Sequence, residues 1–144
     1  MFCRRYDWLW STLIAGRNER PKAELWVIDA GACSGYRAEN NQILIAVGGY
    51  DLDDVPNSAS MRDAPNAPPP HGWPIWEREL HHEFVHEYRD KVVAGCVSGE
   101  GQALDGDPTV RRFDGPGHDA TYYTAAAEVA RSLGFDVRAF VNAL

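Results

Sequence analysis

The stretch Pro74-Ile75-Trp76-Glu77-Arg78-Glu79-Leu80-His81-His82-Glu83-Phe84-Val85-His86-Glu87-Tyr88 carries the information that decides the fold. Pro74 suits the first turn of a helix, where its missing N–H would have had no partner anyway. Trp76, Leu80, Phe84 and Tyr88 recur every fourth residue, which predicts a helix from Ile75 to about Val93, stopped by Gly95. Inside this periodic run lies His82-Glu83-Phe84-Val85-His86, an H-E-x-x-H motif. A chain of this composition yields such a motif by chance about 0.01 times.

The spacing has a physical reading. Residues four apart lie one turn apart on the same helix face, so the rings of His82 and His86 can converge on one ion. Zinc takes imidazole nitrogen at about 2.0–2.1 Å in tetrahedral array, and a catalytic site keeps one position for water. Glu83 projects roughly 100° around the axis from His82, near enough to meet that water without ligating the metal. It can therefore take the water's proton as general base and return it to a leaving amine. Leu80, Phe84 and Tyr88 point the other way, so metal face and core face separate, which argues against two merely structural histidines. His81 falls outside the metal face and is expected to pack or hydrogen-bond.

Two histidines need a third partner. His118, in Gly115-Pro116-Gly117-His118-Asp119, follows a glycine-rich turn at the start of a second predicted helix, where the backbone can approach the first helix closely. Glu128, Asp119 and His71 are its rivals. The metzincin pattern does not apply, because Arg89 and Val92 occupy the positions that need Gly and His. Tyr122 and Tyr123 are candidates to stabilise the oxyanion of a tetrahedral intermediate, set against a plain core role. Arg111 and Arg112 are candidates for the same task or for a substrate carboxylate, set against a solvated pair.

Outward from the motif, the second helix is predicted from about Asp119 to Leu133, with Gly134 as its cap. Strands are predicted at Glu24 to Asp29 and Gln42 to Val47, rich in β-branched and large apolar residues, with a short strand around Gly35 to Ala38. Gly48 and Gly49 end the second of these. Tyr6, Trp10, Leu13 and Ile14 share one face of an N-terminal helix, read in preference to a signal segment because Asp7 breaks the apolar run. Six of the nine prolines fall between residues 51 and 74, a loop insertion expected to be functional or mobile. Residues 98–117 read as irregular, and Phe135 to Val141 as a last strand. The 144 residues form one expected domain, long enough to bury a core without metal or disulfide.

Fourteen Lys and Arg against twenty-one Asp and Glu leave a net charge of −7. Such a surface repels phosphate backbones, so nucleic acid is not an expected partner. No apolar run approaches a bilayer span. Cys3, Cys33 and Cys96 are odd in number and widely spaced, which fits neither a disulfide framework nor a zinc ribbon and favours a reducing, cytoplasmic location.

The order of parts resembles the SprT-like (Spartan-type) minimal zincin metallopeptidases. The resemblance rests on Tyr36-Arg37-Ala38-Glu39-Asn40-Asn41-Gln42-Ile43-Leu44-Ile45-Ala46, on His82 to His86, and on Gly117-His118-Asp119-Ala120-Thr121-Tyr122-Tyr123, within residues 24 to 133. It implies an α+β, zincin-like fold: a small, mainly antiparallel sheet packed on the H-E-x-x-H helix and on a second helix carrying the third ligand. It further implies one zinc ion on His82, His86 and His118, with Glu83 as the base. In such a fold the Gln42 to Val47 strand is an exposed sheet edge, along which a peptide or protein substrate would add as an extended strand.

The leading expectation is thus a zinc-dependent metallopeptidase. A binding or regulatory module that keeps the metal without turnover is the alternative, and a metal-dependent hydrolase of a non-peptide bond is a third reading.

Overall fold

A computed structural model describes residues 2–28, 33–46 and 75–144. The proline-rich loop, His71, Val47 and the Gly48-Gly49 stop lie outside the described residues. Among the described residues, five α-helices and three strands follow in the order α1 (Phe2–Leu13), β1 (Glu24–Ile28), β2 (Gly35–Arg37), β3 (Gln42–Ala46), α2 (Ile75–Tyr88), α3 (Gly99–Gly106), α4 (Ala120–Leu133) and α5 (Val137–Ala143). The class is α+β. None of the described helices is long and apolar enough to cross a membrane.

The sheet departs from expectation in two ways. Its order is β1-β3-β2, with β1 parallel to β3 over five residue pairs and β2 antiparallel to β3 over three. The sheet is therefore mixed rather than mainly antiparallel. In addition, Gln42–Ala46 is the central strand, not an edge. Its backbone pairs on both sides, and Ile43 and Ile45 are fully buried. Parallel strands are buried on both faces and read as continuous apolar runs. Ile43 to Ala46 is such a run, whereas the equally apolar β1 flanks the sheet and leaves Trp26 and Val27 exposed.

Helix α2 packs against α1, the sheet and α4. Its Leu80, Phe84 and Tyr88 are fully buried, as the fourfold spacing predicts. Tyr6 of α1 meets Phe84 edge to face at 6.3 Å, so the N-terminal helix closes the core as expected, with Leu9 as a further fully buried contact. Beyond Tyr88 the helix continues through Arg89–Val93 as one wider π turn, and Ala94 and Gly95, both left-handed, end it.

Two segments fold differently from their sequence reading. Gly99–Gly106, expected to be irregular, forms α3, because the Ser98 hydroxyl caps it by accepting from Gly101 N–H. Gly101 lies so close to α4 that a Cβ there would sit 2.0 Å from Thr124 Oγ1. Phe135 to Val141, expected to be a strand, instead gives helix α5. Asp136 accepts from Ala139 N–H at 3.0 Å as its cap. Phe140, Val141 and Leu144 then reach the core with helical spacing, which outweighs the short Phe135-Val137 alternation.

Under α2 runs a buried polar strut. The Glu87 carboxylate accepts from Tyr6 Oη at 2.7 Å and Ala23 N–H at 3.1 Å, and pairs with Lys91 Nζ at 3.0 Å. Lys91 also donates to the Pro21 and Asn41 oxygens, both at 2.7 Å. One ion pair thus ties α1, the entry to β1, the entry to β3 and α2 together.

Candidate metal centre

His82 and His86 stand one turn apart on α2, with ring centroids 5.2 Å apart. His118 reaches them from the residue before Asp119, the N-cap of α4, whose carboxylate accepts from Thr121 and Tyr122 N–H. Its Nε2 lies 2.9 Å from His82 Nε2 and 3.1 Å from His86 Nε2. The three histidines can together hold one metal ion. The structure thus brings together the three residues expected from the sequence.

The two rival ligands among the described residues are engaged elsewhere. Asp119 is committed to capping α4, and Glu128 interacts with Tyr88. His81 is fully buried, with Nδ1 2.6 Å from the Glu77 carbonyl and Nε2 facing Arg5. It packs as expected.

The protonation chemistry of the cluster suits a cation. Burial, joined by the neighbouring positive groups, lowers the pKa of His82 to about 3 and of His86 to about 2, so both rings are neutral. His118 Nδ1 faces the Gly115 carbonyl at 3.3 Å. A carbonyl only accepts, so Nδ1–H is the donor of this contact, and the contact orients the ring with Nε2 turned toward the other two histidines. Three convergent imidazole nitrogens suit zinc and several other first-row ions.

The surroundings fix the rings. Gly117, at φ +88°, passes so close to α2 that a Cβ would lie 3.4 Å from His86 Cε1. Arg89 donates from Nη1 to the Gly117 carbonyl, pinning the residue just before His118. The Tyr122 ring lies 4.5 Å from the His86 ring, 5.0 Å from His118 and 5.4 Å from His82. Phe113 covers His82 at 4.7 Å and His118 at 5.3 Å. Sequence reading missed both Phe113, which has no local motif, and Arg89, which was noted only as a failed metzincin position.

The two tyrosines serve from beneath. Tyr122 Oη donates to the His82 carbonyl at 3.3 Å, and Tyr123 Oη to the Arg111 carbonyl at 3.0 Å. Both rings are buried, so in this arrangement their hydroxyls hold the backbone of the site.

A cleft of about 940 Å³ opens over the cluster, bordered by Tyr36 of β2 and lined by Glu83, Arg78, Arg89, Arg111 and Phe113. Glu83 is 5% exposed. Burial, reinforced by Glu79, raises its carboxyl pKa to about 8, against the pull of the Tyr36 backbone hydrogen bond. An acid held near neutrality beside three metal-type ligands can exchange protons with a molecule in the cleft.

No family model, curated protein or solved structure matches the chain.

Proposed function

We propose that the protein is a zinc-dependent metallopeptidase of SprT-like, minimal-zincin type, hydrolysing peptide bonds in a peptide or protein substrate. The observation that carries this reading is the convergence of His82, His86 and His118 within one cleft that also contains the buried carboxyl of Glu83.

His82, His86 and His118 would hold the ion. Zinc bound there would supply Lewis acidity and lower the pKa of a coordinated water toward about 7. Glu83 is the general base: it accepts a proton from the attacking water and delivers it to the nitrogen of the departing amine. Burial alone keeps its carboxyl protonated near neutral pH, whereas a neighbouring positive charge favours the ionised, proton-accepting form. Phe113 and Tyr122 shield the imidazoles from bulk water, which strengthens charge interactions within the cleft.

Because β3 is central, the strand available to pair with an extended substrate is β2, an edge among the described residues. Ser34, Gly35 and Tyr36 border the cleft. Main-chain bonds to this edge would hold the peptide across Glu83.

The test combines metal analysis with peptide-library digestion. Wild-type protein is expected to carry zinc and cleave. Glu83→Gln should keep the metal and lose about 10²–10⁴ in turnover, while His86→Ala loses the metal. A wild-type protein that retains metal but leaves every peptide intact would favour the regulatory-module alternative. Unchanged turnover in Glu83→Gln would remove Glu83 from the mechanism.

A further inference from the structure

Although the chain is acidic, the cleft over the histidines contains three arginines, and their partners differ. Arg89 is committed to the Gly117 carbonyl. Arg78 has Glu79 within 3.6 Å. Arg111 is exposed, and among the described residues its guanidinium has neither a hydrogen-bond acceptor nor a carboxylate partner. Its Cζ lies over the Phe113 ring, 5.0 Å from the centroid. That same ring is 4.7 Å from His82 and 5.3 Å from His118. A stacked guanidinium thus stands one aromatic ring away from the metal-type ligands.

The stem of this arginine is fixed on both sides. The Arg111 carbonyl accepts from Tyr123 Oη at 3.0 Å, and its N–H donates to Asn142 Oδ1 at 2.7 Å. The first bond comes from α4, the helix that follows His118, and the second from α5. A guanidinium stacked on an aromatic face and carried on a clamped backbone loses little freedom on binding. It presents a planar fork of donors that matches a carboxylate.

The acids around it do not neutralise it. Glu79 faces Arg78. Asp90 is paired with Arg20 at 2.9 Å and receives the Tyr36 hydroxyl at 2.8 Å. Asp119 caps α4, and among the described residues neither Asp114 nor Glu83, which line the same cleft, forms an ion pair with Arg111.

We propose that Arg111 is a specificity-determining residue that anchors a substrate carboxylate close to the scissile bond, so that the cleft prefers peptides bearing an acidic side chain or a free C-terminus there. The inference rests on the metallopeptidase reading for the word scissile, and on the geometry alone for carboxylate binding. Arg78 reinforces the preference through its charge but is partly neutralised by Glu79. Phe113 sets the angle of the guanidinium, and Tyr123 is the positioning residue that holds its backbone.

The experiment has two arms. The first titrates metal-free protein with an acetylated, amidated alanine peptide, with analogues in which one alanine becomes glutamate or glutamine, and with the same peptide ending in a free carboxylate. The second measures kcat/KM of the metal-loaded protein on the same set. Wild type should favour a carboxylate-bearing peptide by about tenfold or more in both arms, the scale of one charge-assisted hydrogen bond. Arg111→Ala should erase that preference, bringing the ratio of carboxylate-bearing to neutral peptides to about one in both arms, and Arg111→Lys should restore part of it. Its fold is expected to persist, because both clamps grip main-chain atoms. Arg112→Ala, removing an exposed neighbour paired with Asp105, should behave as wild type. The glutamate and C-terminal arms show which carboxylate is read. Equal binding of charged and neutral peptides by wild type overturns the proposal. So does a preference that survives in Arg111→Ala. Preferential binding without any cleavage leaves the anchor standing and rejects the peptidase.

Discussion

Arg89, three residues after His86, donates a charged hydrogen bond to the carbonyl of Gly117, the residue before His118. Two ligands on one helix and a third from a loop 32 residues further on are thereby joined by a second, non-metal link. Such outer contacts orient ligands, and their loss typically costs 10–100-fold in metal affinity. We expect Arg89→Ala to weaken zinc binding about tenfold in competition with a chromogenic chelator, and Arg89→Lys to recover part of the loss. Equal affinity in all three proteins would mean that the loop holds His118 unaided.

The close contact between α3 and α4 gives a stability prediction. A Cβ at Gly101 would lie 2.0 Å from Thr124 Oγ1 and 2.4 Å from the Ala120 carbonyl, whereas one at Gly99 would meet nothing within 4 Å. Gly101→Ala should cost about 3 kcal/mol in urea denaturation, since α3 must move away from α4. Gly99→Ala should add about 0.5 kcal/mol by restricting the unfolded chain. A neutral Gly101→Ala would show that the two helices slide freely.

The Glu87–Lys91 pair has both side chains fully buried. Removing one partner strands the other charge out of water, so Lys91→Met is expected to cost about 3–5 kcal/mol. Glu87→Gln together with Lys91→Met should cost less than Lys91→Met alone, because no naked charge remains. A double-mutant cycle read by thermal or urea melts measures this. Additive losses would mean that the pair has no coupling.

Glu77 is 1% exposed, and burial raises its pKa from 4.5 to about 7 despite the nearby Arg5. The folded protein therefore keeps a proton that the unfolded chain has lost between those values. More protons bound to the native state means that stability falls as pH rises from about 4.5 to about 7. Glu77→Gln should remove this contribution. Its melting temperature relative to wild type is expected to improve on going from pH 5 to pH 8, and a constant difference would contradict the assignment.

Much of the site was legible because one segment carried two agreeing signals. In Ile75 to Tyr88 the core period and the ligand period are both helical, yet they point to opposite faces, so the fold and the chemistry could be read together. His118 was legible from its neighbours, since glycines before it and Asp119 after it mark a helix start. Helix α3 was not. Its Gly99, Gly101 and Gly106 oppose helix formation locally, and the packing of Gly101 against Thr124 is a tertiary fact. The central place of β3 is likewise non-local: the same apolar run serves an edge or a centre until its neighbours are known. Tyr122 and Tyr123 had the right proximity, but their hydroxyls turn toward carbonyls that no sequence pattern announces.

The sheet order has a bearing on how the chain assembles. β1 and β2 come first, yet among the described residues neither pairs with the other; each pairs with β3, the last of the three to be synthesised. Until residue 46 has left the ribosome, the nascent chain has two strands with no common partner. Gln42–Ala46 lies between them, makes both pairings and contributes to the surface on which α2 rests. The platform beneath His82 and His86 therefore depends on β3 to join its two flanking strands, so replacing Gln42–Ala46 with a glycine-serine linker would be expected to forfeit the whole sheet rather than one third of it.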